Sequence, residues 1–357
     1  MDPRCCSLAP GLAKHVQLDS QITLLASRVG LTDSDILART QVIRTIQLAV
    51  DRLDPTVVVE PFGSFCAGLS LPSSDVDIAL IRSSDSVGRA HRTNWWELSP
   101  SDAEEQAEGH TLVSPSRFRV PIADCVSDMH HLSIDEVSAA LHESASIFNI
   151  FCIKTGAMPK IMLTVSHDVP SVAPISVQIT AASFHPNPCA AVSHHPGISV
   201  RNFVQVVLRD YPSIKPVMMV LRAVLRSRNL DDPQLGGLGA YPLFILIYYW
   251  ARFRAQSSET VKFGRAGEEG ELGRILMEFL KWSATMVPWD CAALSWAPVD
   301  HSHDEECHFD PILTARCHSP GHAIDALAPS VADPLNPGVN VAAVSTAHLF
   351  AARKFDV

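Results

Sequence analysis

Positive charge is scarce in this chain: 28 Lys and Arg stand against 38 Asp and Glu, a formal net charge of −10. Affinity for a phosphate backbone comes largely from Lys and Arg, so this balance is unfavourable for holding a polyanion unaided. Contact with nucleic acid then requires a local basic groove or a partner that supplies one. Long apolar runs are also missing. The longest, Tyr241 to Trp250, is too short to span a bilayer and reads as a buried helix, so no membrane role is expected. No Cys-x-x-Cys pair occurs among the nine cysteines, which gives neither a zinc ribbon nor a disulfide framework and points to a reducing, intracellular compartment. The opening MDPRCCSLAPGLAKH lacks a secretory apolar region and is too poor in basic residues for a transit peptide. A basic localisation cluster is absent as well. What is present is apolar. Hydrophobic residues make up 47% of 357, and charged residues 18%, enough for two domains with their own cores.

The most informative stretch is Phe62 to Leu80, FGSFCAGLSLPSSDVDIAL. Side chains two apart in a strand share a face, so Asp75 and Asp77 project together, about 6–7 Å apart along the strand. Two convergent carboxylates suit a hard, oxygen-seeking Mg²⁺, with triphosphate oxygens completing its shell. Gly63-Ser64 supplies the complement: glycine admits close approach of a phosphate, and a helix starting there aims free N–H groups at it. Taken singly, an Asp-x-Asp is also a solvated strand end and a Gly-Ser also an ordinary turn. Set about ten residues apart across an apolar connector, they are far more specific.

This pattern resembles the nucleotidyltransferase signature of the DNA polymerase β superfamily, in the branch of template-independent RNA poly(A) and poly(U) polymerases, and its wording is most similar to the Trf-type poly(A) polymerases. Two further stretches resemble that family in the same order. GGLGAYPLFILIYYW carries Tyr241 where the family stacks an aromatic on the base, with Ala240 at the position of a phosphate-binding Ser. VADPLNPGVNVA resembles the nucleotide-recognition loop, with Asp333 and Asn340 in register and Val339 in place of one polar residue. Arg222 and Arg226, four apart on one helical face, fall where the family grips the triphosphate with Lys. The family's third catalytic Asp is here Gln178, an amide that carries no charge and cannot act as a base near neutral pH. Asp168, in the preceding loop, is either a substitute or a turn residue.

Along the chain, Thr32-x-x-Asp35 opens a helix, Val57–Val59 reads as a buried strand, and Ser133 caps a helix over IDEVSAALHES. Lys160–Val165 and Ile175–Ile179 read as two strands. Residues 83–130 are polar and lack periodicity, as an insertion does; Trp95-Trp96 within it is a docking patch or a local clasp. From Ser199 the pattern is helical, and His301, His303, Cys307 and His308 fit a solvated acidic loop better than a zinc module.

The expected fold class is α+β: a polymerase-β-like nucleotidyltransferase domain over residues 31–190, a mixed sheet with helices, and a mostly helical poly(A)-polymerase-associated central domain over 191–357. Residues 1–30 form an extension, and nucleotide is expected between the domains. The resemblance implies an RNA 3′-terminal nucleotidyltransferase using Mg²⁺ or Mn²⁺ and an NTP, ATP foremost. Asp75 and Asp77 would hold metal, and Gly63, Ser64, Arg222, Arg226, Tyr241, Asp333 and Asn340 the nucleotide. It also implies an RNA 3′ end and an RNA-binding protein as partners, no DNA, and residence in the nucleus. The alternative is a degenerate member that binds nucleotide or partner without chemistry, because of Gln178. A small-substrate transferase of the same superfamily is the third reading, without support from the helical-domain motifs.

Overall fold

The computed structural model describes residues 10–82, 132–155, 159–170, 172–181, 195–232, 237–257, 270–285, 292–299, 308–315 and 330–331. The chain divides into two compact units, one drawn from Leu31–Val113 and Arg117–Val204, the other from Met1–Gly30 and Gln205–Val357. The insertion expected at 83–130 lies outside the described residues.

The first unit is a five-stranded mixed sheet with helices. It opens with helix α2 (Asp33–Leu53), which follows α1 (Pro10–Val29) in the chain. Thr32 and Asp35 close a reciprocal capping box: the Asp35 N–H donates to Thr32 Oγ1 at 3.2 Å, and the Thr32 N–H to Asp35 Oδ2 at 2.9 Å. The buried stripe of α2 runs through Ala38, Val42, Ile43, Ile46, Ala49 and Val50. β1 (Val57–Phe62) and the one-turn helix α3 (Gly63–Cys66) lead to β2 (Val76–Arg82). α4 (Ile134–His142), capped by Ser133 and Glu136, then precedes β3 (Ile147–Ile153), β4 (Lys160–Val165) and β5 (Ile175–Ala181). The strand order is β1-β2-β5-β4-β3, with β2 and β5 parallel and the other neighbours antiparallel.

Strand alternation divides this sheet into two faces. Val57 and Val59, Val76 and Ile78, Ile161 and Leu163, and Val177 and Ile179 all point into one core, which α2 and α4 complete. Burying a side chain of this kind stabilises the fold by about 1.5–3 kcal/mol relative to leaving it in water. The opposite face therefore carries Phe62, Asp77, Gln178, Thr180, Lys160 and Met162. Part of it is covered by the start of α5 (Pro196–Asp210). His195 Nδ1 accepts from the Gly197 N–H at 3.1 Å, which leaves Nε2 to donate to Thr180 Oγ1 at 2.9 Å. Thr180 Oγ1 donates onward to the Ile78 carbonyl at 3.3 Å. Phe62 packs on the His195 ring, centroids 5.1 Å apart. A Cβ on Gly197 would overlap the Phe62 ring, so only glycine fits there.

β3 is not evident from the sequence. Its ladder with β4 shifts register between Phe148 and Phe151, and Asn149 sits at φ 53°. The bulge breaks the alternation that marks a strand and leaves Phe148 and Phe151 exposed on the sheet edge.

In the second unit, α1 packs on α6 (Ile214–Ser227) and on α8 (Glu271–Thr285), and α7 (Ala240–Ser257) packs on α6 and α8. Residues 1–30, set apart above as an extension, thus contribute a helix to this unit. Ile22 is buried, and Asp19 accepts a hydrogen bond from the Gly273 N–H at the start of α8. Leu24 and Leu25 stay exposed, which blurs the helical pattern in this stretch. Trp250 meets Phe279 edge-on at 5.8 Å and Tyr249 stacks on Trp282 at 6.0 Å, so α7 is buried as its apolar run predicts. No helix among the described residues is long and apolar enough to cross a membrane. A correction concerns the segment after α8, read as loose. Ala292–Val299 (β6) and His308–Ala315 (β7) pair antiparallel, with Ser330–Val331 (β8) alongside β6. Pro298 and Pro311 lie within these strands, and proline argues against a strand in a sequence.

Burial pushes the pKa of His195 down to about 4. Between that value and about 6.5 the unfolded chain takes up a proton at this position that the folded chain refuses. The contribution of His195 is therefore complete above about pH 6.5 and falls as pH drops, with a slope approaching about 1.4 kcal/mol per pH unit for one proton. Urea unfolding of the native chain and of His195→Gln at pH 7 and pH 5 checks this: the native chain should lose more stability than the variant over that interval.

Candidate active site

The approach to β2 is fixed from behind by an arginine. Arg39 lies on the apolar face of α2, only 1% exposed. Its Nη2 donates to the carbonyls of Leu71, Pro72 and Ser74 at 3.4, 2.8 and 3.2 Å, and Asp35 pairs with Nη1 at 3.9 Å. Ser74 Oγ accepts from the Leu71 N–H at 3.0 Å. The turn Leu71–Ser74 is thus held directly ahead of Asp75. A buried guanidinium is tolerated only with such partners, and here it gathers three carbonyls of one tight turn, of which that of Leu71 also accepts from the Ser74 N–H at 2.9 Å.

Gly63 sits at φ 70°, and a Cβ built there would collide with Asp77 Oδ2. The residue must be glycine for both reasons. The Asp77 carboxylate therefore lies against the first residue of α3, as the register pair Phe62–Asp77 requires. Ser64 Oγ shares a hydrogen bond of 2.9 Å with the buried hydroxyl of Ser70. Behind this turn, Arg201 at the start of α5 donates to Glu60 Oε1 at 2.7 Å and to the Pro61 carbonyl at 3.0 Å. Cys66 is no nucleophile at neutral pH, because burial raises its thiol to about 12.

Across the parallel ladder Asp77 is the register partner of Gln178. Gln178 Nε2 donates to Asp75 Oδ2 at 2.9 Å, and Lys160 Nζ donates to Gln178 Oε1 at 2.9 Å. Of the residues expected from sequence, Gly63, Ser64, Asp75, Asp77 and Gln178 are thus brought together on the open face, around the paired strands β2 and β5. Asp168 is exposed in the β4–β5 turn, where a turn residue stands. Among the described residues no three His, Cys, Asp or Glu side chains come together as a metal site.

Arg222, Arg226 and Tyr241 belong to the helical unit. Arg222 is buried on α6, whereas Arg226 is exposed and pairs with Asp231 at 3.0 Å. Tyr241 is half-buried as the second residue of α7, directly after Ala240. Asp333 and Asn340, with the rest of their loop, lie outside the described residues, as does most of the His-rich segment.

Sequence reasoning missed two residues. Arg39 had a signal, a lone arginine at apolar helical spacing between Ala38 and Val42. Lys160 opens β4 on the same face as Met162, the ladder partner of Gln178, and only the strand register reveals it. The donor set fits one hard cation at Asp75 and Asp77. It does not fit a second at Gln178, where an N–H points toward Asp75 and the amide oxygen is taken by an ammonium.

Residues 18–145 match the family model described as poly(A) RNA polymerase, mitochondrial-like, central palm domain. Poly(A) RNA polymerase protein 2 of Saccharomyces cerevisiae is 21% identical over 260 residues, 73% of this chain and 34% of the relative. The chain spans about a third of the length of the curated relatives it matches. Its fold is that of the polymerase core of TRAMP, an RNA surveillance complex (TM-score 0.60, 17% identity, 96% of this chain and 84% of that one). It is equally that of the Cid1 poly(U) polymerase (TM-score 0.61, 14% identity, 95% and 92%). The acidic strand beside Gly63, the five-stranded mixed sheet and these matches make the chain similar to the poly(A) RNA polymerases and give it the fold of the DNA polymerase β-like nucleotidyltransferases.

Proposed function

We propose that the chain is an RNA 3′-terminal nucleotidyltransferase that adds AMP from ATP. The observation that carries this is the Asp75–Asp77 pair held against Gly63 on the open face of the sheet. Asp75 and Asp77 would hold a divalent cation, which when bound neutralises triphosphate charge. Gly63 and Ser64 would lie along the phosphates, with Arg222 and Arg226 as cationic grips and Tyr241 as the stacking face for the base. Asp333 and Asn340 would read the base edge. Arg226 must exchange Asp231 for phosphate when nucleotide enters. In the reaction, the RNA 3′-oxygen bonds to the α-phosphorus, the bond to the bridging oxygen breaks, and pyrophosphate leaves in line. Gln178 cannot accept the 3′-hydroxyl proton, so that proton passes to water.

Adenosine preference follows the poly(A) polymerases among the relatives; the TRAMP core and Cid1 support RNA as the substrate class. A net charge of −10 favours an RNA-binding protein partner, and the cysteine pattern an intracellular enzyme, in the nucleus by analogy with RNA surveillance. The second reading, a nucleotide-binding subunit without chemistry, is favoured by Gln178 alone.

RNA primer extension with each NTP in Mg²⁺ and in Mn²⁺ tests the proposal. The native chain should extend RNA most with ATP, and Asp75→Ala or Asp77→Ala should lower the rate by at least about 10²-fold, as loss of a transition-state charge contact does. Arg39→Met should be less stable by about 1–3 kcal/mol, the cost of removing a charged donor from the turn carbonyls, and should also slow extension by loosening the turn before Asp75. Absence of extension by the native chain, with nucleotide still retained in a binding assay, would select the second reading.

A further inference from the structure

We propose that the acidic face is a one-ion site, in which the Lys160 ammonium, held by Gln178, replaces the second divalent cation of a three-carboxylate arrangement. The inference rests on the nucleotidyltransferase reading above.

The orientation of Gln178 is dictated by its partners. Lysine only donates, so Nζ must meet the amide oxygen; an ionised carboxylate only accepts, so Asp75 Oδ2 must meet the amide nitrogen. Both ends of the amide are therefore in use, at 2.9 Å each. An N–H facing Asp75 offers no lone pair to a metal. A cation approaching the amide oxygen would have to displace an ammonium already seated there and would be repelled by it.

The formal charges agree. Three carboxylates with two divalent cations sum to plus one. Two carboxylates, one ammonium and one divalent cation also sum to plus one. A second divalent ion added to the present set would leave an excess of plus three on a small patch of sheet. The exchange of carboxylate for amide and the arrival of Lys160 thus compensate each other on the same face. The register supports this as a built feature: Lys160 lies opposite Thr180 and Met162 opposite Gln178, so Lys160 and Gln178 are diagonal neighbours on adjacent strands.

Equilibrium dialysis of the full chain against Mn²⁺ and a non-hydrolysable ATP analogue, with both retained species counted, tests the idea without reference to turnover. The native chain should retain one Mn²⁺ per bound nucleotide, and Asp77→Asn should lose that ion. Gln178→Asp alone should remain at one, because Lys160 then pairs with the new carboxylate. Gln178→Asp combined with Lys160→Met should rise to two, with circular dichroism confirming that it folds. If that variant does not fold, the native count decides. Two ions per nucleotide in the native chain, or in Gln178→Asp alone, would overturn the one-ion site and leave the nucleotidyltransferase reading standing. No retained nucleotide and no Mn²⁺ would overturn both.

Discussion

Parallel pairing of β2 with β5 sets Asp77 opposite Gln178, and the chemistry of the open face depends on that register. A one-residue slip of β2 would turn Asp77 into the core, away from Gln178, and bring Val76 and Ile78 outward. The register is held by the other face: Val76, Ile78, Val177 and Ile179 are all buried together with the α2 stripe. The apolar side of the sheet thus determines which polar side chains meet on the opposite side. Function on this sheet is a consequence of packing behind it.

Two local devices convert that register into a site. Gly63, in the left-handed region and against the Asp77 carboxylate, lets the chain turn into α3 without displacing the acid. Arg39 crosses from α2 to bind the carbonyls of the turn that ends at Ser74, so Asp75 leaves a rigid support. A charge buried to this extent is costly unless paired, and its retention beneath an acidic site fits a positioning role. On the same open face, His195 and Thr180 seal one side of the sheet, while Asp75, Asp77 and Gln178 keep the other accessible.

Replacement of a carboxylate by Gln178 changes more than one ligand. The amide joins Asp75 to Lys160 and makes the face self-satisfied, where three carboxylates would repel one another until cations arrive. A family resemblance carried by Asp75 and Asp77 therefore coexists with a site whose charge balance is its own.

Much of this was legible in the amino-acid order because it is local. The capping boxes at Thr32 and Ser133, the alternating strands around Ile161 and Ile179 and the Asp75-x-Asp77 spacing are each fixed by residues within a few positions of one another, and local chemistry suffices to recognise them. The strand interrupted by the Asn149 bulge and the proline-bearing β6–β7 pair were hidden, because cross-strand hydrogen bonding there overrides local preference. Arg39 was visible as a residue but not as a clamp, and Lys160 not at all as part of the site. The contacts of these two span 32 to 35 and 18 residues, and that of Gln178 with Asp75 spans 103. Sequence by itself determined which strand carries the acids and that the third carboxylate is missing. Only tertiary structure decided what stands in its place, because neighbours across a sheet are chosen by strand order and register, and neither is written in the local sequence.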